Sequence, residues 1–372
     1  MKVPIDFTVQ TEAQLRKVVG SPSEALMGKK LPTLEEQSRY FIQHSSIVCA
    51  TTKQKNGLLH ASMFGGEKGF VRSIAENSLL IPIKEDGDYM RMIENINANP
   101  FIGLLFFVQG VSETLRVNGR ASIVREKELL TVHFPTDQQL VAAIQVEVEE
   151  CFLHCAKAFF RSKLWDSTTY LPNYHAEMPS TGDLFLRQTI LNEQMQSFMK
   201  YSPFICLGSS QMEGGADISP KGDPAGFVQI VDEQTILIPD RPGNKICDNF
   251  QNILINPYIC VLFFVPGVDQ ILSIQGKASI VKEAKLLEPL SIEGKCPALG
   301  IWIEIEEVTL SYSQAMVNAG LWNPANQIDR KTTFPTMGEM VMKQLAHSKY
   351  IKGMSAKAFD DMANQEYKQR LY

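Results

Sequence analysis

Two short stretches hold the residues best suited to chemistry. Residues 217–228 read DISPKGDPAGFV and set a hydroxyl (Ser219), a cation (Lys221) and a flexible glycine (Gly222) just before an apolar run. The second stretch, Asp240-Arg241-Pro242-Gly243-Asn244-Lys245, adds two cations and leads into a helical pattern over 243–255 that Asn256-Pro257 should end. Backbone N–H groups at a helix start, the helix dipole and cationic side chains together favour a phosphate. Arginine can hold one through two charge-assisted bonds. The same residues also suit an exposed turn, shaped by Pro and Gly and bearing ordinary surface charges.

The frame recurs 157 residues earlier with its charges changed. There the chain reads HASMFGGEKGFV (60–71), with Phe64 at the place of Lys221, and Ile83-Lys84-Glu85-Asp86-Gly87-Asp88 at the place of the cationic loop. Three acids at a helix start suit the dipole but repel a phosphate. A later segment shows the reverse asymmetry. His154, Lys157 and Arg161 in the first copy are matched by Ser311, Gln314 and Asn318 in the second. Lys157 and Arg161, spaced i, i+4, share one face of a helix expected over 156–165; a solvated basic surface helix is the plain alternative. The losses are complementary, so a site assembled across two pseudo-symmetric halves would be intact once, with the loop from one half and the helix from the other.

The elements that must position these residues come from a duplication. Residues 95–124 and 252–281 align without a gap at 17 of 30 identical positions, and the 157-residue shift extends from Cys49/Cys206 to Leu164-Trp165/Leu321-Trp322. Further on, PSTGDLFLRQ (179–188) echoes PTMGEMVMKQ (335–344). Two copies make a duplicated domain, not a solenoid. Each copy is built of short β-branched and aromatic runs punctuated by Gly, Pro and Asn, with one inserted helix; IWIEIEEV (301–308) alternates strictly. That pattern predicts closely spaced antiparallel strands in a small closed or split barrel. No GxGxxG or P-loop motif supports a parallel nucleotide-binding sheet. Repeats over 1–178 and 179–372 are expected, and the final segment, 346–372, has mixed helical character and no partner in the first copy; it could cap the barrel or cover the groove.

Composition sets the outer limits. A chain of 372 residues, 44% apolar and 21% charged, can bury two cores. Its net charge of −5 gives no bulk support for nucleic-acid or anionic-membrane binding. No apolar run approaches the roughly 20 residues of a membrane span. The seven cysteines are dispersed and no signal-peptide core is present, so reduced thiols and a cytoplasmic location are expected. Cys151-x-x-His154-Cys155 could ligate a metal, but no second cluster with finger-like spacing accompanies it. Buried thiols beside a site histidine are expected instead, with no metal.

DISPKGDPAGFVQIVDEQTILIPDRPGN and the later QGKASI resemble the pyridoxamine 5'-phosphate oxidase-like, FMN-binding split-barrel family, and HASMFGGEKGFV resembles a drifted form of it. The resemblance implies mainly β with α: two tandem six-stranded Greek-key split β-barrels, fused as a pseudo-dimer that could pair again as a homodimer. It implies one FMN in the groove between the halves, with Lys221 approaching the flavin and Ser219, Asp240, Arg241, Asn244 and Lys245 lining the phosphate side. His154, Lys157 and Arg161 would complete the site from the first half. A small-molecule oxidoreductase follows as the expected activity. The rivals are a non-catalytic flavin or haem binder or store, and a deazaflavin-dependent reductase. The family's Arg-x-His substrate motif has no match in NQEYKQRLY, so pyridoxamine phosphate is not the expected substrate. No catalytic residue is legible.

Overall fold

Alternation of buried and outward positions shapes the strands in the computed structural model, which describes residues 3–22, 24–84, 89–137, 139–171, 186–212, 214–344, 355–369 and 371–372. The first half contributes β1 (Ile47–Lys53), β2 (Leu59–Gly65), β3 (Arg72–Ala75), β4 (Ser78–Lys84), β5 (Phe101–Phe107), β6 (Thr114–Val124) and β7 (Leu140–His154). They form one antiparallel sheet in the order β2-β1-β5-β6-β7-β4-β3. The second half contributes β8 (Leu186–Gln188), β9 (Phe204–Ser210), β10 (Ala216–Gly222), β11 (Gln229–Asp232), β12 (Thr235–Pro239), β13 (Tyr258–Phe264), β14 (Gln270–Val281) and β15 (Gly300–Tyr312). Their order, β10-β9-β13-β14-β15-β12-β11, repeats the first with every strand number raised by eight, while β8 pairs β15. Even the bulges recur: register shifts at Asn118/Gly119 and at Gln275/Gly276, 157 residues apart. The family resemblance implies six strands per barrel. Each sheet path has seven, counting the four-residue edge strands β3 and β11.

β1 and β5, like β9 and β13, have one face on their own core and the other on the twin barrel. Val48 and Ala50 of β1 and Leu104 and Phe106 of β5 belong to the core of the first barrel, with residues from β4, β6 and β7. Ile205 and Leu207, Val261 and Phe263 do the same in the second. The intervening positions, Ile47, Cys49, Leu105 and Phe107 against Phe204, Cys206, Leu262 and Phe264, form a third core at the seam. The contacts there are reciprocal. A Cβ on Gly222 would run into the Ala158 carbonyl, and one on Gly65 into the carbonyl of Ala315. Both pairs are related by the 157-residue shift, which is what a pseudo-two-fold axis requires. Trp165 and Trp322 obey it too, donating to the Val111 and Val268 carbonyls at 2.8 and 2.9 Å.

The ends of the chain cross over. Val9 and Leu15 lie in the second core, whereas Phe334, Met337, Met340 and Val341 lie in the first. The echo at 179–188 falls mostly outside the described residues. Of the final segment, 346–354 lies outside them as well, and Ala356–Gln369 is a helix.

Candidate functional site

At the seam, a cavity of about 400 Å³ opens between β10 and the 239–250 segment of the second half and the end of β7 in the first. β10 is an edge strand of its sheet, so its outward side chains are free to line a cleft. Ser219, Lys221, Asp240, Arg241, Asn244 and Lys245 all border the cavity, and so does His154 from the other half. Seven of the nine predicted residues thus meet in one place. Lys157 and Arg161 do not line it.

The side chains are not equally available. Lys221 Nζ lies 3.4 Å from Asp240 Oδ1 and 5.5 Å from the centre of the Phe250 ring. Burial pushes the Asp240 carboxyl up despite the nearby Lys221, Arg161 and Arg241. Arg241 turns partly inward: Nε donates to Asp223 Oδ2 at 2.6 Å and Nη2 to the Leu290 carbonyl at 2.9 Å. Asn244 shapes the loop by accepting from the Ile246 N–H at 3.0 Å. Lys245 is exposed, and its carbonyl accepts from Arg16 at 2.7 Å, which anchors the loop. His154 packs on Phe152 at 4.7 Å, and its buried Nε2 has no hydrogen-bond partner among the described residues. Burial, reinforced by Arg116, holds the His154 pKa well below the usual histidine range, so the ring is neutral.

Arg161 works from behind the wall. Its Nη2 donates to the Pro242 carbonyl at 2.7 Å, so the first half grips the second half's cationic loop through backbone rather than through a ligand position. Lys157 Nζ pairs with Glu366 Oε1 at 2.8 Å. Their helix is Lys157–Ser162, ended by Lys163 in the left-handed region at φ 52°, shorter than the 156–165 expected.

The helix behind the cationic loop requires a larger correction. It spans Asp248–Ile255, not 243–255, and stops before Asn256-Pro257 as expected. Lys245 and Cys247 have φ of 61° and 63°, values that break helical geometry and put the helix start five residues later than Pro242 and Gly243 suggest. Residues 241–246 therefore form a loop in front of the helix, and its first turn carries Asp248, an acid. The dipole contribution predicted for a phosphate on Asn244 and Lys245 is displaced by that distance.

Asp248 belongs to a hub absent from the sequence reading. Arg116, 1% exposed, forms ion pairs with Asp248, with Asp217 at 3.3 Å and with Glu150 at 3.4 Å. Its Nη1 also reaches Ser219 Oγ at 3.4 Å, and its guanidinium lies 4.2 Å from the Phe152 ring centre. Lys30 adds contacts to Glu150 at 3.0 Å and Asp248 at 3.2 Å. The three carboxylates are close enough to share a metal ion, but the guanidinium and ammonium already satisfy them. Cys151 cannot join His154: alternation along β7 turns it into the first core, where its thiol donates to Ser38 at 3.1 Å and burial pushes its pKa up to about 12. A usable signal did exist. Arg116 stands in an apolar strand where the other copy has Ser273, while His60 and Arg91 stand where the second copy has Asp217 and Asp248.

The pseudo-symmetric groove is open as well, at about 750 Å³, with Phe64, Ser273 and Ser311 at the places of Lys221, Arg116 and His154. Lys84 there is paired with Asp137 at 3.1 Å and Arg91 with Glu307 at 3.1 Å. The acidic residues 85–88 lie outside the described residues.

Two duplicated antiparallel barrels with a cleft at their seam place the chain in the split-barrel class. The chain belongs to the pyridoxamine 5'-phosphate oxidase family, whose sequence pattern matches residues 34–155 and again 191–314. HupZ of Group A Streptococcus is a similar solved structure, at 16% identity and TM-score 0.28 over 32% of this chain and 93% of that one. A Clostridium acetobutylicum protein related to general stress protein 26, of the pyridoxinephosphate oxidase family, is 13% identical with TM-score 0.26, over 34% of this chain and 92% of its own. No functionally curated protein matches the chain by sequence. Among the described residues, no helix is long and apolar enough to cross a membrane.

Proposed function

We propose that the chain is an FMN-dependent oxidoreductase acting on a small molecule, with one flavin per chain in the cavity between the repeats. The observation that carries the reading is the composite lining. Lys221, Arg241 and Lys245 of the second half face Arg116 and His154 of the first across about 400 Å³, within the usual range for small-molecule sites. Lys245, exposed and hinged by the Asn244 turn, is the most available cation for a phosphate, and Arg241 supports that end. Lys221, paired with Asp240, lines the cleft, and Ser219 on the same strand is in reach of Arg116. The neutral His154 ring offers Nε2 as an acceptor or, in the other tautomer, as a donor. A bound flavin would supply the hydride or electron chemistry itself, leaving position and electrostatics to these side chains. The repeat boundary proposed is 178/179, and the dispersed cysteines fit a reducing cytoplasm.

The visible spectrum of the purified protein, before and after adding FMN, tests binding. Photoreduction followed by reoxidation with candidate acceptors separates an enzyme from a store. A bound flavin that no acceptor reoxidises would favour storage, and a haem spectrum would replace the cofactor assignment.

A further inference from the structure

The outer end of the cavity is already engaged by the chain's own final residues. Lys157 Nζ pairs with Glu366 at 2.8 Å, Arg161 Nε donates to the Leu371 carbonyl at 2.6 Å, and Lys295 Nζ donates to the backbone oxygen of Tyr372 at 3.1 Å. The Tyr372 ring lies 5.7 Å from the guanidinium carbon of Arg161 and 5.7 Å from that of Arg241. Two of these cations come from the first half and two from the second. A carboxylate, two backbone oxygens and a ring face thus meet the cations with the kind of groups an anionic ligand would bring.

The anchorage of the segment lies elsewhere. The Ala356–Gln369 helix is seated on the Met337–Gln344 helix, where a Cβ on Gly338 would meet the Ala356 carbonyl, and Gly338 N–H donates to Asp360 at 2.7 Å. Tyr367 packs on Phe160 at 5.2 Å. The two terminal residues have lighter contacts: the half-buried Tyr372 ring meets Arg161 and Arg241 through cation–π contacts, each worth little alone. The residues beyond the helix can therefore lift without unseating it.

We propose that Leu371 and Tyr372 act as an internal competitor for the anion end of the cavity, leaving Arg241 and Lys295 when a phosphate-bearing ligand takes them. The identity of that ligand rests on the flavin reading; the competition for the cations does not. The test titrates the full chain, Tyr372→Ala and Glu366→Gln with two probes, FMN followed by flavin fluorescence and inorganic phosphate followed by calorimetry. Amide exchange of residues 356–372 is measured alongside. Tyr372→Ala should bind both probes about five- to thirty-fold tighter, the range carried by its two cation–π contacts. Glu366→Gln, on the seated helix and paired with a lysine outside the cavity lining, should bind as the full chain does, and exchange at 371–372 should rise when either probe binds the full chain. FMN binding equally or more weakly to Tyr372→Ala, with unchanged exchange, would overturn the competitor and leave the flavin site standing. Phosphate binding tighter to Tyr372→Ala while FMN binds none of the three would do the opposite. Failure of both probes on all three proteins would overturn both.

Discussion

Arg116→Met should cost about 3 kcal/mol of stability at neutral pH, and the penalty should shrink in acid. The side chain is 1% exposed and stands among Glu150, Asp217 and Asp248. Methionine keeps its length and removes its charge. Breaking one partner from a buried ion pair costs about 3–5 kcal/mol. The lower figure applies because other groups remain: Lys30 on Glu150 and Asp248, and Asn118 and Asn252 on Asp217 at 2.7 Å each. In the parent protein, burial alone would push the Asp248 carboxyl up, but Arg116 and Lys30 overcome it and hold Asp248 below its ordinary value. Its contribution is therefore full above the unfolded pKa of about 3.9 and lost as pH falls through the folded value. Without Arg116, the Asp248 carboxyl should gain a proton more readily, so lowering the pH relieves the variant while it weakens the parent. Urea unfolding at pH 7 and pH 4 measures both effects. At a slope of about 2 kcal/mol/M, the pH 7 midpoint moves by about 1.5 M. A variant within about 1 kcal/mol of the parent at pH 7, or a gap that widens at pH 4, would refute the hub.

Three further outcomes follow from the same geometry. Gly222→Ala drives a methyl into the Ala158 carbonyl at the seam, so it should destabilise by about 1–3 kcal/mol, as should its mate Gly65→Ala, read by thermal unfolding. Lys221→Ala and Arg241→Ala should weaken FMN binding at least ten-fold, whereas Phe64→Ala and Lys84→Ala should change it less than two-fold in the same titration. His154 is held neutral, so below about pH 6.5 the unfolded chain takes up a proton that the fold refuses, and stability falls with pH. His154→Gln should flatten that slope between pH 6.5 and 5 in denaturant midpoints.

What the sequence shows plainly is what repeats or alternates. The strand set follows from period-two burial, and the duplication from a gapless shift that the bulges and the two tryptophans obey in three dimensions. The loop residues 240–245 and β10 border the cavity, and both flank strands that alternation identifies. The helix start was misplaced because positive φ at Lys245 and Cys247, residues with no intrinsic taste for it, is imposed by packing. The Arg116 hub was hidden for another reason: its partners lie 34, 101 and 132 residues away, and register across two sheets brings them together. The hold of Glu366, Leu371 and Tyr372 on the cations is likewise a tertiary fact, since nothing in 346–372 repeats.

The number of flavins per chain tests the central claim most directly. Calorimetric titration of the full chain with FMN, repeated on Lys221→Ala and Phe64→Ala, should give one site in the parent and in Phe64→Ala and a severely weakened site in Lys221→Ala. Two equivalent sites, or a single site that Phe64→Ala abolishes and Lys221→Ala leaves intact, would contradict the assignment of the cofactor to the cavity lined by Lys221 and Arg116.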